Sequence, residues 1–144
     1  MIVRRGFTLV EILIVVIILG ILAAIVIPQF TDASTQARQS SLMSNLQTVR
    51  SQIGLYQVQH NDSLPGSGTA DFATAMTGKT DVYGAVSTDP NAYGPYFQQM
   101  PVNPFNNKNT VGTNGTAGSN TYGWMFNTAT GTFQADDSAT HATW

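Results

Sequence analysis

The chain has no cysteine, which excludes disulfides, thiol nucleophiles and cysteine-held zinc. It is also poor in charge. Only 10% of its 144 residues are Asp, Glu, Lys or Arg, against roughly 25% in an average soluble domain. Six Lys and Arg stand against eight Asp and Glu, a net charge of -2. No basic surplus exists to neutralise phosphates, so direct nucleic-acid contact is not expected. The two histidines, His60 and His141, lack a companion at metal-binding spacing and read as a helix-end and a tail residue. No internal repeat is visible.

Sequences that imitate catalytic motifs fail on their spacing. In Gly78-Lys79-Thr80 the end of a phosphate-binding loop is present, but the earlier glycine it requires falls on Ala73 and no apolar strand precedes it. Gly66-Ser67-Gly68 lacks the Gly-x-Ser-x-Gly spacing of a nucleophile elbow. Catalysis is not expected, and no cofactor is indicated.

What is present is one long apolar run. From Gly6 to Thr31 the only ionisable side chain is Glu11, and Ile12 to Ile27 consists of sixteen Ile, Leu, Val, Ala and Gly residues. Phe7 to Ile27 is 21 residues. As a helix it spans roughly 31 Å, the thickness of a bilayer's hydrocarbon core. Arg4 and Arg5 precede the run and no comparable basic pair follows it. The positive-inside rule therefore leaves the N-terminus cytoplasmic and the chain beyond Pro28 outside. A removable secretory signal would carry a shorter apolar core and no charge at its start. A plain membrane anchor would have no use for Glu11.

A carboxylate costs about 2.5 to 3.5 kcal/mol at the centre of a spanning helix, and less near an interface. No basic side chain lies between Phe7 and Thr31 to offset it. Either Glu11 sits at headgroup depth, where the N-terminal helix dipole favours an acid, or its partner comes from a processed terminus or another subunit.

The string Arg4-Arg5-Gly6-Phe7-Thr8-Leu9-Val10-Glu11, running directly into the apolar segment, resembles the start of type IV pilins and of type II secretion pseudopilins. The resemblance is close over about the first 30 residues and architectural beyond them. It implies a leader of residues 1–6, a transmembrane and assembly helix of 7–28, and a periplasmic or extracellular domain of 29–144. Cleavage by a prepilin peptidase would fall between Gly6 and Phe7, followed by methylation of the Phe7 amine. Glu11 would then neutralise that amine on a neighbouring subunit during filament assembly. Gly20 and Pro28 would weaken the helix and give it flexibility. Gly20 and Ala24 also form a small-xxx-small pair suited to close helix packing.

The implied partners are further copies of the chain in a filament, related minor pilins or pseudopilins, the peptidase, an inner-membrane assembly platform and membrane lipid. The location implied is the bacterial inner membrane, crossed once, and then a filament. A major pseudopilin of a type II secretion system fits best. A surface pilus for adhesion, motility or DNA uptake is the alternative, and a membrane-anchored binding module that never polymerises is a third. Acidic loops hold calcium in some major pseudopilins, which makes Asp136 and Asp137 calcium candidates. Without a denser acid pattern, a solvated acidic tail is expected instead.

Beyond Pro28 the hydrophobic pattern becomes periodic. Leu42, Leu46, Val49, Ile53 and Tyr56 fall at steps of four, three, four and three, which predicts an amphipathic helix burying one stripe. Asn61-Asp62-Ser63-Leu64-Pro65-Gly66 supplies its stop. If Pro28 only kinks the chain, residues 7 to 60 form a rod of roughly 80 Å. A short helix is predicted from Asp71 to Met76 with Thr69 as its cap. The aromatics between Gly94 and Phe105 are expected to pin a loop to the core, and 106–121 reads as a mobile or hairpin loop. Tyr122 to Asn127 and Thr132 to Ala135 are expected to pair as antiparallel strands, with Trp124, Phe126 and Phe133 on or near the helix. The fold predicted is α+β: a long N-terminal helix packed on a small C-terminal antiparallel sheet, the type IV pilin fold.

Overall fold

The structure is a computed structural model describing residues 6–144; the basic pair Arg4 and Arg5 and the start of the leader lie outside the described residues. Its first element is helix α1, Leu9–Gln59. The chain divides into two compact units, Met1–Ala37 and Arg38–Trp144.

In the first unit every large apolar side chain described is exposed, with Ile17 at 53% and Leu19 at 59%. The helix is long and apolar enough to cross a membrane. It continues through Pro28, which has no N–H to give the preceding turn. The hydroxyls of Thr31 and Thr35 donate back to the carbonyls of Ile27 and Thr31, at 3.3 and 3.0 Å.

In the second unit α1 changes character as its sequence does. Leu42, Leu46, Val49, Ile53 and Tyr56 are all buried, because steps of three and four put them on one side of a 3.6-residue helix. Each such side chain contributes roughly 1.5–3 kcal/mol by leaving water. They share a core with Phe72, Met76, Trp124, Phe126 and Phe133. Within it the ring of Phe72 lies 4.3 Å from that of Phe126, and Trp124 lies 5.4 Å from Phe133. The helix ends where predicted, with Asn61 and Asp62 both at positive φ.

Helix α2 is Phe72–Thr77, and its cap is Asp71, not Thr69. The Asp71 carboxylate accepts from the Thr74 amide at 2.7 Å. An N-cap side chain serves the amides two or three residues ahead of it, and Asp71 stands at that distance from the first free donors. Amides of Tyr96 and Phe97 both donate to the Met76 carbonyl at 3.0 Å, and the Trp124 indole donates to Pro101 at 2.8 Å. The aromatic loop is pinned as expected.

Strands β1 (Val111–Thr113), β2 (Trp124–Phe126) and β3 (Phe133–Ala135) form one sheet in that order. The β2 and β3 pair is antiparallel, with Trp124 opposite Ala135 and Phe126 opposite Phe133. Its turn closes on Asn127, whose Oδ1 accepts from the amides of Ala129 and Thr130 at 2.9 and 3.0 Å. β1 joins the other edge of β2 in parallel, Val111 opposite Trp124, so the sheet is mixed. The stretch expected to be a mobile or hairpin loop thus contributes a strand.

Candidate functional site

At the head of α1, Thr8 and Glu11 hold each other. The Thr8 hydroxyl accepts from the Glu11 amide at 3.2 Å, and the Glu11 carboxylate accepts from the Thr8 amide at 3.3 Å and its hydroxyl at 3.4 Å. This is a capping box, which satisfies two donors that an α-helix leaves free at its start. Its signature, Thr-x-x-Glu before an apolar run, stands in the sequence as Thr8-Leu9-Val10-Glu11. The box folds the carboxylate back onto Thr8, over the start of the helix. Among the described residues, Glu11 has no ion-pair partner; the only such pair is His141 with Asp137. Phe7 is 76% exposed. Among the described residues a side chain at Gly6 or at Gly20 would meet nothing within 4 Å, so no packing among them requires either glycine.

The acidic pair near the other end of the chain is not a solvated tail. Asp136 is 0% exposed. Its Oδ1 accepts from the Ser119 amide at 2.9 Å and from the Ser119 hydroxyl at 3.1 Å, and its Oδ2 from that hydroxyl at 3.1 Å and the Tyr122 amide at 2.8 Å. Asp137 accepts from Asn103 Nδ2 at 2.9 Å and pairs closely with His141 Nδ1. A buried carboxylate requires such donors, and those of Asp136 come from residues 17 and 14 positions earlier in the chain.

Calcium binds six to eight oxygen ligands. The groups converging on Asp136 and Asp137 are mainly N–H donors, which would have to turn away before an ion could enter. The two carboxylates therefore do not fit a calcium site. No group of three or more His, Cys, Asp or Glu is placed to hold a metal among the described residues.

His141 lies in a 3-10 turn, His141–Thr143, between the rings of Phe105 and Trp144 at 4.3 and 4.5 Å. His60 is buried. It stacks on Tyr56 at 3.7 Å, and its nitrogens meet the Tyr56 carbonyl and the Thr80 hydroxyl, both at 2.9 Å. Lys79 follows a helix, not a strand, and reaches the Pro90 carbonyl at 3.4 Å. The Ser67 hydroxyl is spent on the Leu64 carbonyl. A groove of about 880 Å³ runs between Met43 and Arg50 of α1 and the indole of Trp144.

The arrangement thus offers an acid without an ion-pair partner among the described residues, at the head of an uncovered apolar helix, and a small domain whose buried polar side chains all find hydrogen-bond partners. Residues 1–27 match the model of the prokaryotic N-terminal methylation motif. The chain is 30% identical over 106 residues to the type II secretion system core protein G of Pseudomonas aeruginosa, covering 72% of this chain and 70% of that protein. The Klebsiella pneumoniae protein of the same name is 27% identical over 106 residues, covering 71% of this chain and 69% of the relative. The major component of the type IV narrow pilus of Thermus thermophilus is 44% identical over 55 residues, which cover 38% of this chain and 47% of that protein. No solved structure matches the chain.

Proposed function

The chain belongs to the family of the type II secretion system core protein G, and on that premise we propose that it is a structural subunit of a pilin-like filament, most like a major pseudopilin of protein secretion. The observation that carries this reading is Glu11. It is the one ionisable residue between Gly6 and Thr31, and its carboxylate is held back over the start of the helix by Thr8. Cutting between Gly6 and Phe7 creates an amine one residue before Thr8. In a filament that amine, methylated, meets Glu11 of a neighbouring copy.

Alone in hydrocarbon each charge is penalised; together in low dielectric they attract, which favours assembled over free subunits. Cutting also removes Arg4 and Arg5, the charges that hold the N-terminus in the cytoplasm. Gly20 and Pro28 are the points at which the helix yields as subunits leave the bilayer. The precursor crosses the inner membrane once, with its C-terminal domain in the periplasm. A prepilin peptidase acting on the cytoplasmic face, an inner-membrane assembly platform and related minor subunits serve it, and it carries out no catalysis of its own.

A surface pilus is the second reading, favoured by the likeness to the Thermus pilus component. The absence of cysteine weighs mildly against it, since many surface pilins close a C-terminal loop with a disulfide. Deleting the gene and assaying secreted enzymes beside surface piliation separates the two.

The test of assembly uses cells carrying the peptidase and assembly machinery. Mass spectrometry of sheared filaments should find N-methylated Phe7 as the first residue. Glu11→Ala should insert in the membrane normally, while filament yield falls about tenfold or more, the equivalent of roughly 1.4 kcal/mol. Filaments with an intact Met1, or undiminished filaments from Glu11→Ala, would overturn the proposal.

A further inference from the structure

The turn Ser119–Tyr122 is polarised across its two faces. On one face its amides point at Asp136: those of Ser119 and Tyr122 donate to the carboxylate at 2.9 and 2.8 Å, and that of Asn120 to the Asp136 carbonyl. On the other face its carbonyls gather. Lys108 Nζ donates to the Asn120 carbonyl at 2.6 Å and to the Thr121 carbonyl at 3.1 Å. Asn106 Nδ2 takes the Tyr122 carbonyl at 2.8 Å and the Asn120 side-chain oxygen at 3.0 Å. The turn is therefore held between a buried carboxylate on its N–H side and an ammonium on its C=O side.

The segment carrying Lys108 is itself fixed. Its carbonyl accepts from the Asn103 amide at 2.9 Å, and its amide donates to Asn106 Oδ1 at 3.1 Å. It runs so close to the residue preceding β2 that a Cβ on Gly123 would lie 2.2 Å from the Lys108 carbonyl oxygen. The ammonium is thus delivered by backbone that cannot drift, which lowers the entropy cost of holding a long side chain in one place.

Converging carbonyl oxygens around a positive centre are what a hard cation requires. An ammonium is a compact, strongly hydrated charge with three donors and no acceptor, able to occupy such a position. We propose that Lys108 is the built-in cation of this loop: its ammonium takes the place that a bound divalent ion would fill, so the order of residues 106–122 does not depend on any ion from solution. The failure of Asp136 and Asp137 to fit calcium is the other half of the same arrangement. This inference stands on the loop alone and is independent of the filament reading.

The test uses the full chain in detergent micelles, with thermal unfolding followed by near-ultraviolet circular dichroism, which reports on the buried Trp124. The expected midpoint of the unaltered protein is the same with excess EDTA and with millimolar calcium chloride. Lys108→Met should lower it by roughly 3–8 °C under both conditions and speed proteolytic cutting between residues 109 and 119. Lys79→Met, which removes the same charge from a side chain with one long contact at 3.4 Å, should leave the midpoint unchanged. A midpoint of the unaltered protein that rises with calcium or falls with EDTA overturns the proposal without recourse to any variant. So does a Lys108→Met protein as stable and as protease-resistant as its parent, or an equal loss from Lys79→Met.

Discussion

Tyr96 donates its phenol to Gln59 Oε1 at 2.5 Å, with its ring 5.4 Å from that of Tyr56. Burial, reinforced by the neighbouring Tyr56 and Tyr93, pushes its pKa from 10.0 up to about 12. Burial also raises Tyr56, partly offset by a hydrogen bond from Thr80. A raised pKa means that the fold favours the neutral phenol. The resulting stability is fully present below the unfolded value near 10 and is lost as pH climbs towards 12. Denaturation midpoints should therefore be flat up to about pH 9 and fall between about pH 10 and 12. Tyr96→Phe should make that fall shallower without abolishing it, because Tyr56 still titrates. A slope unchanged by Tyr96→Phe would show that the phenol is solvated.

At this scale the sequence was legible where chemistry is local. Glu11 stands out because nothing near it is charged, and its partner Thr8 was three residues away in a readable pattern. Asp136 was not legible. The donors that bury it belong to Ser119 and Tyr122, 17 and 14 residues earlier, and an acidic pair near the end of a chain gives no local sign of such partners.

Among the elements, the second half of α1 could be read to the residue, because its stripe repeats at helical spacing for four turns and that periodicity survives any tertiary context. β1 could not. Its three residues Val-Gly-Thr alternate with nothing, and they become a strand only because β2 offers them an edge in parallel register. What lets the two segments approach is Gly123 at the head of β2. Alanine there would put Cβ 2.2 Å from a backbone oxygen and 2.7 Å from its carbon, and backbone cannot step aside as a side-chain tip can. Gly123→Ala should cost about 1–3 kcal/mol or more in equilibrium denaturation. Gly115→Ala is the control: its new methyl would meet only the flexible end of Met125, at 3.1 and 3.3 Å, and should cost less than about 1 kcal/mol. Equal losses from both would mean that crowding against β2 does not set the position of β1.

For the molecule as a whole, the sequence and the structure divide the labour in the same way. Every buried apolar side chain described falls between Leu42 and Ala142, inside the unit Arg38–Trp144. The unit before it buries none of its large apolar side chains described. A helix apolar all round has no solvent-facing side, so it needs lipid or sister helices to cover it. The domain, whose core is closed, has no such need. Two separable solubilities follow from one chain. Residues 38–144 alone should remain in solution without detergent, elute as a monomer and keep the near-ultraviolet signal of Trp124. They should unfold in one cooperative step within about 2–4 °C of the full chain in micelles, a spread that corresponds to less than about 1 kcal/mol at this size. The full chain without detergent should instead associate through its first unit. If the fragment loses its near-ultraviolet signal while keeping its helix content, the upstream helix is completing the core. A filament subunit could not then exchange lipid for neighbouring helices while its domain stayed folded.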